Sequence, residues 1–263
     1  MQRLVELQSG TPAPMAVVPE GEVKSDPWKG MIGIGLVVIT GNAETVMGTA
    51  NAGLDKKLGE WAFGLRASGA YGQSRPPAGV EAEVTAARTG LLLRGERNIV
   101  SFASIYALAG TETDHVKSVE IRGFAEVGTG IKFYERKEGD LEKMFLRGDV
   151  GLRYSHETRF QYYASPLVPK GTGLPSATML GPRIGIVIRY ALNKEIRFSE
   201  EAEFLPNLLG PSRYLVNSMT KVSARLTESL SFTGSFLVNY DSAPAADKKT
   251  TDTALVLGVD AIF

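Results

Sequence analysis

The sequence predicts an all-β chain, a transmembrane antiparallel up-and-down β-barrel of about twelve strands, on three observations. Apolar and polar residues alternate with a period of two from Trp28 to Phe263, while the 3.6-residue period of an amphipathic helix is hard to find. Proline avoids the alternating runs: of 13 prolines, four lie in residues 1–27, eight in the longer connections, and only Pro182 inside a run. Having no N–H to donate to a ladder, proline marks the strands independently of hydropathy. The connections are alternately short and long, as in a barrel with turns at one end and loops at the other.

The predicted strands cover residues 28–40, 45–56, 60–72, 83–95, 99–112, 118–134, 141–156, 177–191, 195–205, 213–226, 229–241 and 251–263. A tight Gly41-Asn42-Ala43-Glu44 hairpin joins the first two. Short charged turns follow the second, fourth, sixth, eighth and tenth strands: Lys57-Leu58-Gly59, Glu96-Arg97-Asn98, Arg136-Lys137-Glu138-Gly139-Asp140, Asn193-Lys194 and Thr227-Glu228. Longer loops cover residues 75–81, 159–176, 206–212 and 242–250. The sixth strand sets Val119, Ile121, Val127, Ile131 and Phe133 against Glu120, Arg122, Glu126 and Lys132. The seventh opposes Leu146, Val150, Leu152 and Tyr154 to Arg147, Asp149 and Arg153. The eighth opposes Ile184, Ile186, Ile188 and Tyr190 to Arg183 and Arg189. Each strand thus has one apolar and one ionic face.

Composition narrows the function classes. Lys and Arg (29) balance Asp and Glu (29), with no clustered basic excess for nucleic acid. There is no cysteine and there are two histidines, His115 and His156, so thiolate sites and most His-based metal sites are out of reach and no metal or cofactor is expected. No stretch reaches the ~18 apolar residues of a membrane helix. A mean hydropathy of −0.04 suits a soluble protein or a membrane barrel equally, because the two faces of barrel strands average out. Residues 1–27 lack the charged and then apolar pattern of a signal peptide.

Two features favour the membrane barrel. Aromatics collect at strand ends: Trp28, Trp61, Phe133, Tyr190 and Phe263 at the short-turn end, Tyr71, Tyr154, Phe204, Tyr214 and Tyr240 at the long-loop end. That is the pattern of two interfacial girdles. The chain also stops on an aromatic that closes an alternating strand, with Leu255, Leu257, Val259, Ala261 and Phe263 on one face and Asp260 on the other. This ending resembles the terminal signal read by the outer-membrane barrel assembly machinery.

Three stretches resemble one family, the salt-induced outer-membrane protein group, also called YdiY-like or domain of unknown function 481. They are Thr40-Gly41-Asn42-Ala43-Glu44-Thr45; Trp61-Ala62-Phe63-Gly64-Leu65-Arg66-Ala67-Ser68-Gly69-Ala70-Tyr71; and, near the end, Glu228-Ser229-Leu230-Ser231-Phe232, Val238-Asn239-Tyr240-Asp241-Ser242-Ala243-Pro244 and Lys248-Lys249-Thr250-Thr251-Asp252. The likeness runs over about residues 30–263 and is thinnest around the long 159–176 loop. It implies a Gram-negative outer-membrane barrel and supplies no catalytic site or substrate.

The inward charges expected from the alternation are Asp55, Arg66, Arg88, Arg94, Glu120, Arg122, Glu126, Lys132, Arg147, Asp149, Arg153, Arg183, Arg189, Arg197, Glu201, Glu203, Lys221, Arg225 and Asp260, twelve cationic against seven anionic. Among them Arg66, Arg88, Arg122, Glu126, Arg147, Asp149, Arg153, Arg183, Arg189, Glu201, Glu203 and Lys221 are the candidate pore-lining residues. A cationic excess suits a narrow channel for small anionic solutes. The competing expectation is a non-conducting structural or partner-binding barrel whose ion pairs simply fill the interior. A lipid hydrolase comes third: Ser155, His156 and Glu157 lie together, but neighbours on a strand face opposite ways and a His-x-Ser-Asn-Gly motif is missing, so no enzyme is expected. The glycines of Gly33-x-Gly35, Gly128-Thr-Gly130 and Gly171-Thr-Gly173 precede no helix and read as barrel glycines rather than phosphate loops.

Residues 28–263 are the expected barrel. Residues 1–27, polar and Pro-rich with one apolar run at Met15-Ala16-Val17-Val18, read as a periplasmic tail, a plug, or a docking segment for a periplasmic partner. Both termini are expected in the periplasm. Lipids around the belt and the assembly machinery acting on the strand that ends at Phe263 complete the expected partners.

Overall fold

A computed structural model describes residues 27–39, 44–75, 82–139, 141–165, 167–246 and 248–263. Twelve strands follow one another: β1 (Lys29–Ile39), β2 (Glu44–Leu58), β3 (Trp61–Arg75), β4 (Glu83–Val100), β5 (Ala103–Asp114), β6 (Val119–Glu138), β7 (Leu141–Phe160), β8 (Gly173–Ala191), β9 (Ile196–Pro206), β10 (Tyr214–Arg225), β11 (Leu230–Asp241) and β12 (Thr251–Ile262). Each pairs antiparallel with its sequence neighbours. β1 closes the ring on β12, with Met31 opposite Ile262 and Leu36 opposite Leu257. Gly30 and Phe263 exchange both backbone hydrogen bonds, 2.8 and 3.1 Å, at the seam. Closure gives every strand two neighbours, which a sheet in lipid needs because lipid offers no partner for an open edge.

The alternation decides which face turns inward. Along β7, Phe145, Arg147 and Asp149 are buried, whereas Val150, Leu152 and Tyr154 are exposed. In β8, Arg183, Val187 and Arg189 are buried between exposed Ile184, Ile186 and Tyr190. Both aromatic ends carry exposed rings: Trp28, Trp61, Phe133, Tyr190 and Phe263 at one, Tyr71, Tyr154, Phe204 and Tyr214 at the other. Tyr240 stacks on Tyr214 at 5.5 Å, so it joins the loop-end set.

The structure corrects the strand map at several places. β4 runs to Val100 rather than ending at residue 95, so Glu96-Arg97-Asn98 is strand and the turn is residues 101–102. The charged triplet looks like a turn, but Glu96 stays in phase with the inward Leu92 and Arg94 and finds cationic partners inside. β2 and β6 also extend further, the former turning at Gly59 and Glu60 and the latter at Gly139. Both glycines have positive φ, 59° and 60°, which they adopt without steric cost. Glu120, expected inside, is exposed: a bulge between Val119 and Ile121 shifts the register and buries Val119 in its place. Pro182 does lie within β8. Pro182 pairs with Leu152 of β7, whereas the β8–β9 ladder begins only at Ile184 opposite Phe204, so on the β9 side its missing N–H leaves no ladder bond unmade.

The interior is not uniformly ionic. Leu92, Tyr106 and Leu108 form a buried apolar cluster against Phe124, and Met31, Met179, Leu205, Met219 and Val256 are also buried inside. The hairpin at residues 40–43 and the segment 1–26, with the tail, plug and docking expectations attached to it, lie outside the described residues.

Candidate functional site: the barrel lumen

Four guanidiniums and four carboxylates meet at the centre of the lumen. Arg94 and Glu96 come from β4, Glu126 from β6, Arg147, Asp149 and Arg153 from β7, Arg183 from β8 and Glu203 from β9. Arg147 pairs with Glu96 at 2.7 Å and Asp149 at 2.8 Å, and Arg94 with Glu96 at 2.8 Å. Arg153 pairs with Glu126 and Arg183 with Glu203, both at 2.5 Å. Longer contacts knit these pairs together: Arg94 to Asp149 at 3.7 Å, Arg183 to Glu126 at 3.6 Å and to Asp149 at 3.9 Å, and Arg153 to Glu203 at 3.7 Å. The Tyr106 hydroxyl donates to Glu126 at 2.6 Å, while the Arg94 guanidinium lies 3.9 Å over the Tyr106 ring. Asn217 on β10 donates to Glu203 at 2.7 Å.

Local sequence makes room for this assembly. A Cβ on Gly130 would fall within the Arg147 guanidinium, and Cβ atoms on Gly128 and Gly151 would come within 2.6 and 2.8 Å of the Tyr106 hydroxyl. Small residues on β6 and β7 therefore clear the space that long side chains fill. Arg147 and Arg183 are essentially inaccessible to solvent, and so is Lys221, which pairs with Asp260 at 2.7 Å across β10–β12. At this level the lumen is filled by charged side chains.

Toward the long loops the lumen opens into a cavity of about 250 Å³. Arg153 and Glu203 are among the residues that line it, along with Arg66, Arg88 and Arg122 on the walls, Ser155 and Asn217 between them, and Lys117 and Asp241 near the loops. Three of the four carboxylates here meet arginines, Glu112 with Arg122, Asp241 with Arg213 and Glu203 with Arg183, while Asp114 accepts only the Lys117 backbone N–H at 3.1 Å. Donors are left over. Arg66 Nε and Arg153 Nη2 are buried with no hydrogen-bond acceptor among the described residues.

A second ion cluster braces the loop end. Glu157 pairs with Arg122, Arg159 and Arg213, the last at 2.9 Å, and Arg213 also reaches Asp241 at 2.5 Å. Burial opposes the charge on Arg213, yet its hydrogen bonds to Asp241 and the Glu157 charge hold it above the usual arginine pKa. The turn of residues 115–118 leans over the cavity. Its Lys117 meets Asp252 of β12, on the far side of the ring, at 2.9 Å. Ser118, at φ 60°, is locked by a 2.6 Å bond from its hydroxyl to Gln161, and His115 stacks on Tyr162 at 3.8 Å.

All twelve predicted pore-lining residues face inward. Six of them, Glu126, Arg147, Asp149, Arg153, Arg183 and Glu203, join in the central network. Arg66 and Arg88 line the cavity, Arg122 joins the loop-end cluster, and Lys221 pairs with Asp260 instead. Arg189 sits nearer the short turns with Glu142 at 3.4 Å, and Glu201 is buried on the same inward face of β9 as Glu203. The alternation, stopped short, missed Glu96, Glu112, Asp114, Glu142, Glu157, Arg159, Arg213 and Asp241. Glu157 and Arg159 are in phase with Arg147, Asp149 and Arg153, so carrying the same count four to six residues further finds them. These omissions were mostly acidic, and the inward cationic excess shrinks once they are included. Ser155 lines the cavity while His156 faces outward to Thr178 at 2.8 Å, so the two form no dyad. Among the described residues no three His, Cys, Asp or Glu side chains group as a metal site.

A closed antiparallel barrel with an apolar outer wall, two aromatic girdles and a charged lumen is the architecture of an outer-membrane β-barrel. Residues 32–261 match the profile of a protein family of unknown function, DUF481, and the chain belongs to that family. A search of the curated proteins gave no match. Among solved structures, the translocator domain of the autotransporter NalP from Neisseria meningitidis is similar with a TM-score of 0.49 at 13% identity, over 93% of this chain and 90% of that one. The NanC porin has a TM-score of 0.49 at 8% identity, over 88% of this chain and 98% of that one.

Proposed function

We propose that the chain is a narrow channel of the Gram-negative outer membrane for small, preferentially anionic solutes, held shut in this state by its central ion network. The observation that carries the reading is the charged filling of the lumen directly below a cavity that opens toward the long loops. Filling a barrel with paired charges is no more stabilising than filling it with apolar side chains, because each ion loses its hydration. Charged pairs, unlike apolar packing, hydrate and separate to pass a solute, and rings of such side chains select by charge. The cavity lining, where Arg66, Arg88, Lys117, Arg122 and Arg153 face the four carboxylates Glu112, Asp114, Glu203 and Asp241 and the Nε of Arg66 has no acceptor among the described residues, supports the anion preference. In this reading the cavity faces the cell exterior and both termini the periplasm, as the short turns at their end suggest.

The test is conductance in planar bilayers. Wild type should give small, infrequent steps. The charge-neutral pair Glu96→Gln with Arg147→Gln should raise step size several-fold, with reversal potentials in a salt gradient reporting anion preference. The full burial of Arg147, Arg183 and Lys221 favours a second reading, a non-conducting barrel that acts through its loops. Silence from both wild type and the double variant, with folded protein, would establish that reading and remove the channel.

A further inference from the structure

The cavity above the central network has two unlike walls. The arginines that line it, Arg66, Arg88, Arg122 and Arg153, all come from the arc β3–β7, and Lys117 comes from the turn after β5. The arc β8–β12 brings no cation to the lining. It brings instead Met179, Leu205, Leu215, Met219, Leu237 and Val256, with every one of its strands represented. Strand pairing gathers these side chains into two patches. Met219 stands opposite Leu237, and Val256, opposite Ser235, is the diagonal neighbour of Leu237; Leu205 stands opposite Leu215. Asn217, opposite Asn239, separates the two.

The carboxylates of the aliphatic wall are engaged, Glu203 by Arg183 and the Asn217 amide, Asp241 by Arg213. The cationic wall is less complete. Arg66, Arg122 and Arg153 each meet a carboxylate, at Asp55, Glu157 and Glu126, whereas Arg88 makes no ion pair among the described residues. Asp114, which stands opposite it on β5, accepts the backbone N–H of Lys117.

A passage for hydrated ions has no use for an aliphatic wall, since water gains nothing against it. Small-molecule sites are built this way, mostly apolar with a few charged groups that fix orientation. At about 250 Å³ the cavity lies just under the ~300–1,000 Å³ of drug-sized sites, which suits a body of one compact ring or branched chain. A sugar or an inorganic anion would leave the aliphatic wall against hydroxyls or water. A neutral apolar solute would leave Arg88 without a counter-charge.

We propose that the cavity binds a small amphiphilic carboxylate, its apolar body against the β8–β12 wall and its carboxylate on Arg88. A guanidinium takes a carboxylate through two parallel N–H···O bonds, which fixes the head while the body stays non-directional. Such a carboxylate is the solute class of the channel proposed above, and as a transported solute it rests on that reading, whereas binding needs no open lumen.

Isothermal titration calorimetry on the folded chain in lipid nanodiscs, with empty nanodiscs subtracted, tests the site with matched probes. They are cyclohexanecarboxylate; quinate, which has the same ring and carboxylate with hydroxyls added; and cyclohexylmethanol, which has the same body without the charge. Cyclohexanecarboxylate should bind at least ten-fold more tightly than either of the others. Arg88→Gln should weaken it about ten-fold and bring it level with cyclohexylmethanol. Leu237→Asn, which keeps every cation, should weaken it several-fold and leave quinate unchanged. Heat-modifiable migration verifies that each variant is folded. Equal affinity for cyclohexanecarboxylate and quinate overturns the role of the aliphatic wall, equal affinity for cyclohexanecarboxylate and cyclohexylmethanol overturns the role of Arg88, and no binding to folded wild type overturns the site. Selective binding by a chain that is silent in planar bilayers upholds the site and removes the channel; conductance without selective binding does the reverse.

Discussion

Glu126 shows how much a single lumen residue holds in place. It accepts from Tyr106 and Arg153 and faces Arg183, so its removal takes the close carboxylate from Arg153, while Arg183 keeps Glu203, in a space that Gly128 and Gly151 have cleared for this cluster. Breaking one partner of a buried pair costs roughly 3–5 kcal/mol, because the charge left behind remains desolvated. Glu126→Gln should lose about that much stability in urea titrations of the folded barrel. The exposed Glu60–Arg97 pair at the first short turn, also well formed at 3.0 Å, is the control: Glu60→Gln should cost ~0–1 kcal/mol. Equal costs for the two would mean that water reaches the central network freely. The role of Glu126 was legible in the sequence as an inward charge in phase with Arg122. Its partners were not, since Arg153 and Arg183 come from other strands and only the barrel's curvature brings them together.

At the scale of elements, the strands were more legible than their ends. All twelve were visible as alternating runs, because a wall between lipid and a polar interior imposes a strict period of two. Ends were misread where charge resembled turn chemistry, as at Glu96, or where a bulge broke the count, as at Val119–Ile121. The turn of residues 115–118 was visible only as a break between runs, and nothing in its composition showed that it crosses the cavity. Its Lys117–Asp252 contact joins opposite walls and narrows entry from the loop end. The pair is partly exposed, with side-chain exposures of 35% and 46%, so it is worth at most ~1 kcal/mol. Lys117→Met should therefore speed labelling of a thiol placed in the cavity at Ser68→Cys by no more than about five-fold, and raised salt should do the same to the parent chain. A much larger effect would make the turn a true gate. No change would leave the central network as the sole barrier.

For the whole molecule, the neutral balance of 29 cationic and 29 anionic residues arises in good part from pairs sorted to one side of a closed wall. The near-zero mean hydropathy likewise averages an apolar exterior with an ionic interior, and neither number alone distinguishes this chain from a soluble one. The decisive quantity is where an added charge is tolerated. Val127 lies in mid-wall on β6, exposed and flanked on the same face by Ala107 and Leu152. If that face meets hydrocarbon, Val127→Arg must bring a guanidinium into lipid and should destabilise insertion by about 2–4 kcal/mol. Thr251, exposed at the loop end of β12, should accept Thr251→Arg for ~0–1 kcal/mol, since depth and not residue type sets the penalty. Urea titration of folding into lipid vesicles measures both. A small, equal cost at the two positions would place the apolar wall against water or protein and refute the membrane reading of the entire barrel, whereas a difference that grows with bilayer depth would set the aromatic girdles at the two interfaces.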